Sequence, residues 1–246
     1  MGLCRACRLA PPPFARAVAY GLYDGAMREA IHALKYERLH PAARGLGKML
    51  AEAMALLEGE APAEMLVVPV PLHKSKNAER GFNQARLLAR EALHCLRQSR
   101  PQWRLTLAAS TLMRLRPTES QAGLTPRQRR DNVRGAFSVS EPAAVNAKHI
   151  LLVDDILTTG ATARAAATAL VRAGAASVWV ATLARARRAG PIPSNAREGR
   201  EEIGREMERE MEREIELGTG PARGLPPRTA RPNGASPMES GGSQGF

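Results

Sequence analysis

Aromatic residues make up only 4% of this 246-residue chain, and cysteine and histidine number three and five. With so few rings the core must be built from Leu, Val, Ile and Ala, a composition that suits helices laid on a covered parallel sheet. Stacking platforms for nucleic-acid bases are equally scarce: Trp103, Trp179, Phe82, Phe137 and a few tyrosines. Three cysteines, Cys4, Cys7 and Cys95, are too few for a disulfide framework. No apolar run approaches the ~20 residues that cross a bilayer, so membrane insertion is not expected. Met1 to Arg8 is basic but is not followed by the apolar stretch of a signal peptide. The expected location is the cytoplasm.

Cys4-Arg-Ala-Cys7 has the spacing of half a zinc knuckle, whereas a structural zinc takes four ligands. His32 and His40 are the other candidates, at no familiar spacing, so a Zn²⁺ site on Cys4 and Cys7 is incomplete as read. Cys95 falls on a helical stretch and reads as a small buried hydrophobe.

What the chain has in excess is positive charge. Residues 1–197 carry 29 Lys+Arg against 14 Asp+Glu, a net of +15, while the remainder carries 7 against 10. Such a body attracts polyanions; an arginine-rich solvated surface is the plainer reading. At 44% hydrophobic residues the chain supports one sizeable core plus appendages.

Periodicity predicts helices over 20–34, 40–57, 83–96 and 163–173, the last closed by Gly174. Continuous apolar runs predict covered strands at 65–70, 149–153 and 177–183, with a further strand within 105–115. Strand, loop, helix and strand between 149 and 183 form a βαβ unit, which implies a parallel sheet with a right-handed crossover. Pro117 to Arg134 is basic and aperiodic and reads as a long functional loop. Beyond about Arg188 the composition changes. A Glu/Arg-rich stretch over 189–217 has Ile203, Met207, Met211 and Ile215 at helical spacing, and 218–246 has the Gly/Pro/Ser/Arg content of a disordered tail.

The chemistry concentrates in Leu151-Leu-Val-Asp-Asp-Ile-Leu-Thr-Thr-Gly-Ala-Thr162. A buried strand delivers Asp154 and Asp155 at its C-terminal end, the edge of an open α/β sheet where ligands bind. A loop follows, predicted over 154–162, in which Leu157, Thr158, Thr159, Gly160, Ala161 and Thr162 offer backbone N–H and hydroxyl donors at a helix start. Two carboxylates one loop from a phosphate site would repel the phosphate, so they make sense as acceptors for sugar hydroxyls. The ligand read from these residues is a sugar phosphate or a nucleotide with a free ribose. The plainer alternative is an ordinary strand–loop–helix with a capping Asp.

This segment resembles the phosphoribosyl pyrophosphate (PRPP) signature of type I phosphoribosyltransferases. With Val68-Pro-Val-Pro-Leu-His73, Arg80-Gly-Phe-Asn-Gln84 and Gln121-Ala-Gly-Leu-Thr-Pro-Arg127 running on to Arg130-Asp-Asn-Val-Arg-Gly-Ala-Phe137, it resembles the ComF (ComFC) family, linked to natural DNA transformation. The resemblance covers about residues 20–188. It implies a type I phosphoribosyltransferase-like α/β fold, with a mostly parallel sheet flanked by helices and a smaller hood. Residues 1–19 correspond to a shortened zinc-ribbon-like segment, where many relatives have two Cys-x-x-Cys pairs.

By that resemblance Asp154 and Asp155 hold the ribose hydroxyls, residues 157–162 hold the 5′-phosphate, and Pro71, Leu72, His73, Lys76 and Arg80 lie in the pyrophosphate loop. Arg80, Asn83 and Gln84 offer donors for an anion or a base, or else form a helix cap that packs Phe82. Gln121, Arg127, Arg130 and Asn132 form a cationic hood over pyrophosphate, or a solvated loop. Mg²⁺ would arrive with PRPP, bridging its phosphates. Neither an N-terminal catalytic Cys nor a glutaminase domain is present, so glutamine-dependent chemistry is not expected. Three functions remain open: phosphoribosyl transfer, a non-catalytic single-stranded DNA-binding module working with the competence helicase machinery, and PRPP sensing.

Overall fold

The computed structural model describes residues 5–36, 42–117, 128 and 132–186. The expectations for Cys4, His40, Gln121, Arg127, Arg130 and the two C-terminal stretches lie outside the described residues. Strands β1 (Ala17–Leu22), β2 (Glu64–Pro69), β3 (Arg104–Leu107), β4 (Leu112–Arg114), β5 (Phe137–Val139), β6 (His149–Leu157) and β7 (Ser177–Arg185) fall into two sheets. The larger has the order β1-β7-β6-β2-β3, and every pairing in it is parallel. The smaller is the antiparallel pair β4–β5, called the hood below; most of the basic 117–134 loop expected to form a cationic hood lies outside the described residues. The helices are α1 (Arg5–Leu9), α2 (Gly25–Tyr36), α3 (Ala42–Ala55), α4 (Lys74–Arg80), α5 (Gln84–Ser99), α6 (Pro142–Val145) and α7 (Ala161–Arg172).

The continuous apolar runs become central strands because both faces of the sheet are covered. Met65, Val67, Leu151 and Val153 point into one core with residues of α2, α3 and α5. Val68, Val70, Ile150 and Leu152 alternate to the opposite core, against Ala163, Ala166, Ala167 and Leu170 of α7 and Leu112 and Phe137 of the hood.

From β2 the chain crosses through α4 and α5 to β3, on one side. From β6 it crosses through α7 to β7, on the other. The strand order therefore reverses between β2 and β6, which opens a crevice at their C-terminal ends. There β2 stops first: its last pair is Pro69↔Val153, while β6 continues beside β7 to Leu157↔Arg185. Four residues of β6, Asp154 to Leu157, run past the end of β2.

Several expectations are corrected. The helix predicted from Tyr20 is preceded by β1, and Tyr20 itself lies in that strand. Edge pairing with β7 overrides local helical periodicity there. The single strand within 105–115 is two strands in different sheets, because the chain turns at Ala108 to Ser110. The loop predicted over 154–162 begins only after Leu157, since β7 supplies backbone partners beyond the point where β2 ends. Helix α4 and strand β5 were not expected.

Helices α3 and α5 meet closely at Gly47, where an added Cβ would lie 2.3 Å from Cβ of Glu91 and 3.2 Å from its carbonyl carbon. Overpacking of this kind costs about 1–3 kcal/mol. Gly47→Ala is expected to lower the unfolding free energy by that amount, seen as a lower urea midpoint at unchanged m-value by circular dichroism.

Candidate functional site

Successive residues of a strand face opposite sides of its sheet, and this separates the two acids. Asp155 turns toward the core of α2, α3 and α5. It is 6% exposed, and its Oδ2 lies 2.7 Å from Lys35 Nζ at the end of α2. The same oxygen accepts from Gln84 Nε2 at 3.1 Å. Gln84, the first residue of α5 and itself buried, accepts on Oε1 from Arg80 Nη1 at 3.2 Å. Asn83 sets the entry of α5: its Oδ1 caps the Arg86 N–H at 3.2 Å and its Nδ2 donates to Val70 O at 3.1 Å. The motif Arg80-Gly-Phe-Asn-Gln84 thus ties the end of β2 to the acid on β6, with Gly81 in the left-handed conformation at φ 79° to close α4.

Asp154 is half-buried and turns toward the hood. Its Oδ1 accepts the Asp155 backbone N–H at 2.9 Å. Burial, and then the negative charge of Asp155, push its carboxyl up to about 8; that hydrogen bond, Lys35 and Arg114 act the other way. Arg114 on β4 stands over the Phe137 ring, 5.4 Å from its centroid. Burial lowers the Arg114 pKa, and Asp154 opposes that shift.

The phosphate-loop candidates follow directly. Leu157 ends β6 and is buried; Thr158, Thr159 and Gly160 make the bend, and Ala161 and Thr162 open α7. Gly160 has φ 76°, which frees the turn of a side chain, and no side chain caps α7 from that position. Thr159 Oγ1 accepts from the Ala161 N–H at 3.4 Å. This places the N–H groups that open α7, from Ala161, six residues along from Asp155.

Pro71, Leu72 and His73 link β2 to α4 across the crevice, all half-buried. His73 Nδ1 accepts from the Ser75 N–H at 3.3 Å and meets Ser75 Oγ at 2.8 Å, so this ring caps α4. Lys76 and Arg80 stand half-buried on α4, and Asn132 is half-buried. Cys7 is half-buried, with Arg164 Nη2 3.8 Å from its sulfur. Among the described residues no group of three or more His, Cys, Asp and Glu gathers to hold a metal.

Two functional neighbours were missed from the sequence. Lys35 sits at the end of an amphipathic helix without a motif around it. Arg114 lies in a three-residue strand between Met113 and Leu115, and the only signal was a cation amid apolar residues.

The raised Asp154 pKa has a measurable consequence. Between about pH 4 and pH 8 the unfolded chain has released a proton that the folded chain keeps, so this group makes stability fall as pH rises through that window and level off above it. Relative to Asp154→Asn, the wild-type protein is expected to lose on the order of a few kcal/mol from pH 5 to pH 8. Urea titrations across pH check this; parallel curves for the two proteins would refute it.

Comparison with known proteins agrees with this architecture. The phosphoribosyl transferase domain family matches residues 81–210, just over half of the chain. DNA utilization protein YhgH of Salmonella typhi is 34% identical over 184 residues, covering 74% of this chain and 77% of the relative. Competence protein F of Haemophilus influenzae is 27% identical over 186 residues, 74% of this chain and 78% of the relative. Competence protein ComFC of Bacillus subtilis is 38% identical over 122 residues, 49% and 44% of the two chains. Among solved structures, a glutamine PRPP amidotransferase from B. subtilis aligns at 25% identity with a TM-score of 0.33, over 57% of this chain and 26% of that chain. The present chain thus spans about a quarter of the amidotransferase. With a parallel sheet, a switch-point crevice and these relatives, the chain belongs to the ComF family of phosphoribosyl transferase-domain proteins.

Proposed function

We propose that this protein binds PRPP together with Mg²⁺ in the crevice between β2 and β6 and transfers its phosphoribosyl group, serving DNA handling in the cytoplasm during natural transformation. The observation that carries this reading is the overrun of β6, which puts Asp154 one short loop ahead of the start of α7, where Gly160 stands in the left-handed conformation. Those are the two halves of a phosphorylated sugar site: a hydroxyl acceptor and an anion cradle.

In this reading the backbone from Leu157 to Thr162 holds the 5′-phosphate. Asp154 and Asp155 orient the ribose hydroxyls, and the loop from Pro71 to His73 with Lys76 and Arg80 receives the pyrophosphate. The only carboxylates of the crevice among these residues are the two adjacent acids. That donor set suits a Mg²⁺ held mainly by substrate oxygens rather than by a protein cage. When bound, Mg²⁺ would offset the negative charge of the departing pyrophosphate. The protein groups fix the sugar, exclude water beneath the hood and balance charge as the bond at ribose C1 breaks.

Calorimetric titration with Mg²⁺-PRPP tests the reading. Wild-type protein is expected to bind, and Asp154→Asn to bind about two- to tenfold more weakly, since one hydrogen bond of a neutral carboxyl contributes about 0.5–1.5 kcal/mol. A folded wild type that fails to bind, or an unaffected variant, would remove PRPP from this site.

A second reading, a single-stranded DNA-binding module, draws on a cleft of about 690 Å³ on the far side of α3 and α5, lined by Arg44, Lys48, Arg90 and His94. There Arg90 also meets Glu91 at 3.0 Å. If DNA lies in this cleft, Arg44→Glu with Arg90→Glu lowers affinity and flattens its salt dependence in gel-shift titrations. Equal affinity at low salt would exclude the cleft.

A further inference from the structure

The groups around Gln84 form an ordered chain of alternating character: the Lys35 ammonium, the Asp155 carboxylate, the Gln84 amide, then the Arg80 guanidinium. A carboxylate only accepts and a guanidinium only donates. The amide between them therefore has one usable orientation, N–H₂ toward Asp155 and oxygen toward Arg80. Neither Glu nor Leu at this position could join a negative group to a positive one. Gln84 is buried at the start of α5, and Asn83 beside it donates to Val70 O.

The two ends of this chain lie at different parts of the crevice. Asp155 belongs to the β6 edge, where the sugar is placed. Arg80 stands on α4, in the segment that follows β2, where the diphosphate is placed. A guanidinium carries five N–H donors in a planar fork, so it can grip an anion while one N–H stays on Gln84.

We infer that Gln84 is a positioning residue that couples the two halves of the site: an anion ordering Arg80 orders Gln84 and through it Asp155, so pyrophosphate and ribose phosphate bind with positive cooperativity. This rests on the PRPP reading above and assigns that site a linkage. Binding free energies are reciprocal, so each probe strengthens the other by the same factor.

The test uses the full chain with ribose 5-phosphate and Mg²⁺-pyrophosphate as separate probes. In wild-type protein, saturating Mg²⁺-pyrophosphate is expected to lower the Kd of ribose 5-phosphate by about fivefold or more, the lower range of measured couplings. In Gln84→Met, whatever the affinity for each probe alone, that factor falls below about twofold. Because Gln84 is buried, a second variant guards against a folding defect. Arg80→Lys keeps the charge at a half-buried position but lacks the fork, and it too is expected to bind pyrophosphate without the linkage. A merely structural role for Gln84 would weaken both probes and leave the coupling factor intact. Independent binding in wild type, or coupling that survives both substitutions, overturns the inference while leaving the PRPP reading standing. Failure of wild type to bind either probe overturns both.

Discussion

The buried ion pair between Lys35 and Asp155 is the constraint around which the crevice is arranged. Taking both charges out of water costs several kcal/mol per ion, and their attraction offsets that only with close geometry and further hydrogen bonds. Here the geometry is close, at 2.7 Å, and Gln84 supplies the additional bond. The pair joins the last turn of α2, the overrun of β6 and the start of α5, three elements distant in sequence. A net energetic gain is not required for this role. One buried carboxylate with two obligatory donors penalises any packing of α2 or α5 that leaves it unpaired, and so selects one arrangement of the walls.

Strand alternation then divides the labour between two adjacent acids. The same backbone that sends Asp155 into the core of α2, α3 and α5 sends Asp154 to the hood, where Arg114 is its cationic neighbour. The extension of β6 past β2 is what makes the division possible. Had the chain left the sheet at Val153, with β2, both carboxylates would sit in a loop free to turn to one side.

Much of this was legible in the sequence, for identifiable reasons. The strands at 65–70, 149–153 and 177–183 were readable because a parallel strand covered on both faces is apolar throughout. The loop carrying Thr159 and Gly160 was readable from its Thr/Gly content after an apolar strand, but the left-handed turn at Gly160 and the helix start at Ala161, two residues earlier than expected, were not. The motif from Arg80 to Gln84 was visible as a group of donors, but its sequence did not say that Gln84 would face Asp155 across the crevice. That contact spans 71 residues and depends on strand order. Lys35 and Arg114 were hidden for the same reason: each matters through a carboxylate brought to it by topology. The end of β6 was misplaced because two consecutive acids look like a loop, while β7 holds them in a strand.

The raised pKa of Asp154 bears on how anions reach such a site. A carboxylate a few residues from a phosphate cradle would repel a multiply charged ligand, and the repulsion grows in a partly dry crevice. With its pKa raised to about 8 by burial and by the charge of Asp155, Asp154 favours the protonated form at neutral pH. A neutral carboxyl both donates and accepts hydrogen bonds to sugar hydroxyls, and it leaves the N–H groups at the start of α7 as the stronger local field for an incoming phosphate. In the proposed PRPP site, the burial that costs stability at Asp154 would therefore remove the conflict between a sugar acceptor and a phosphate site placed side by side. Asp155 achieves the same end differently, since Lys35 offsets its charge. Both acids are thus kept from projecting a bare negative charge toward the mouth of the crevice, and the net charge of the surrounding body does the attracting.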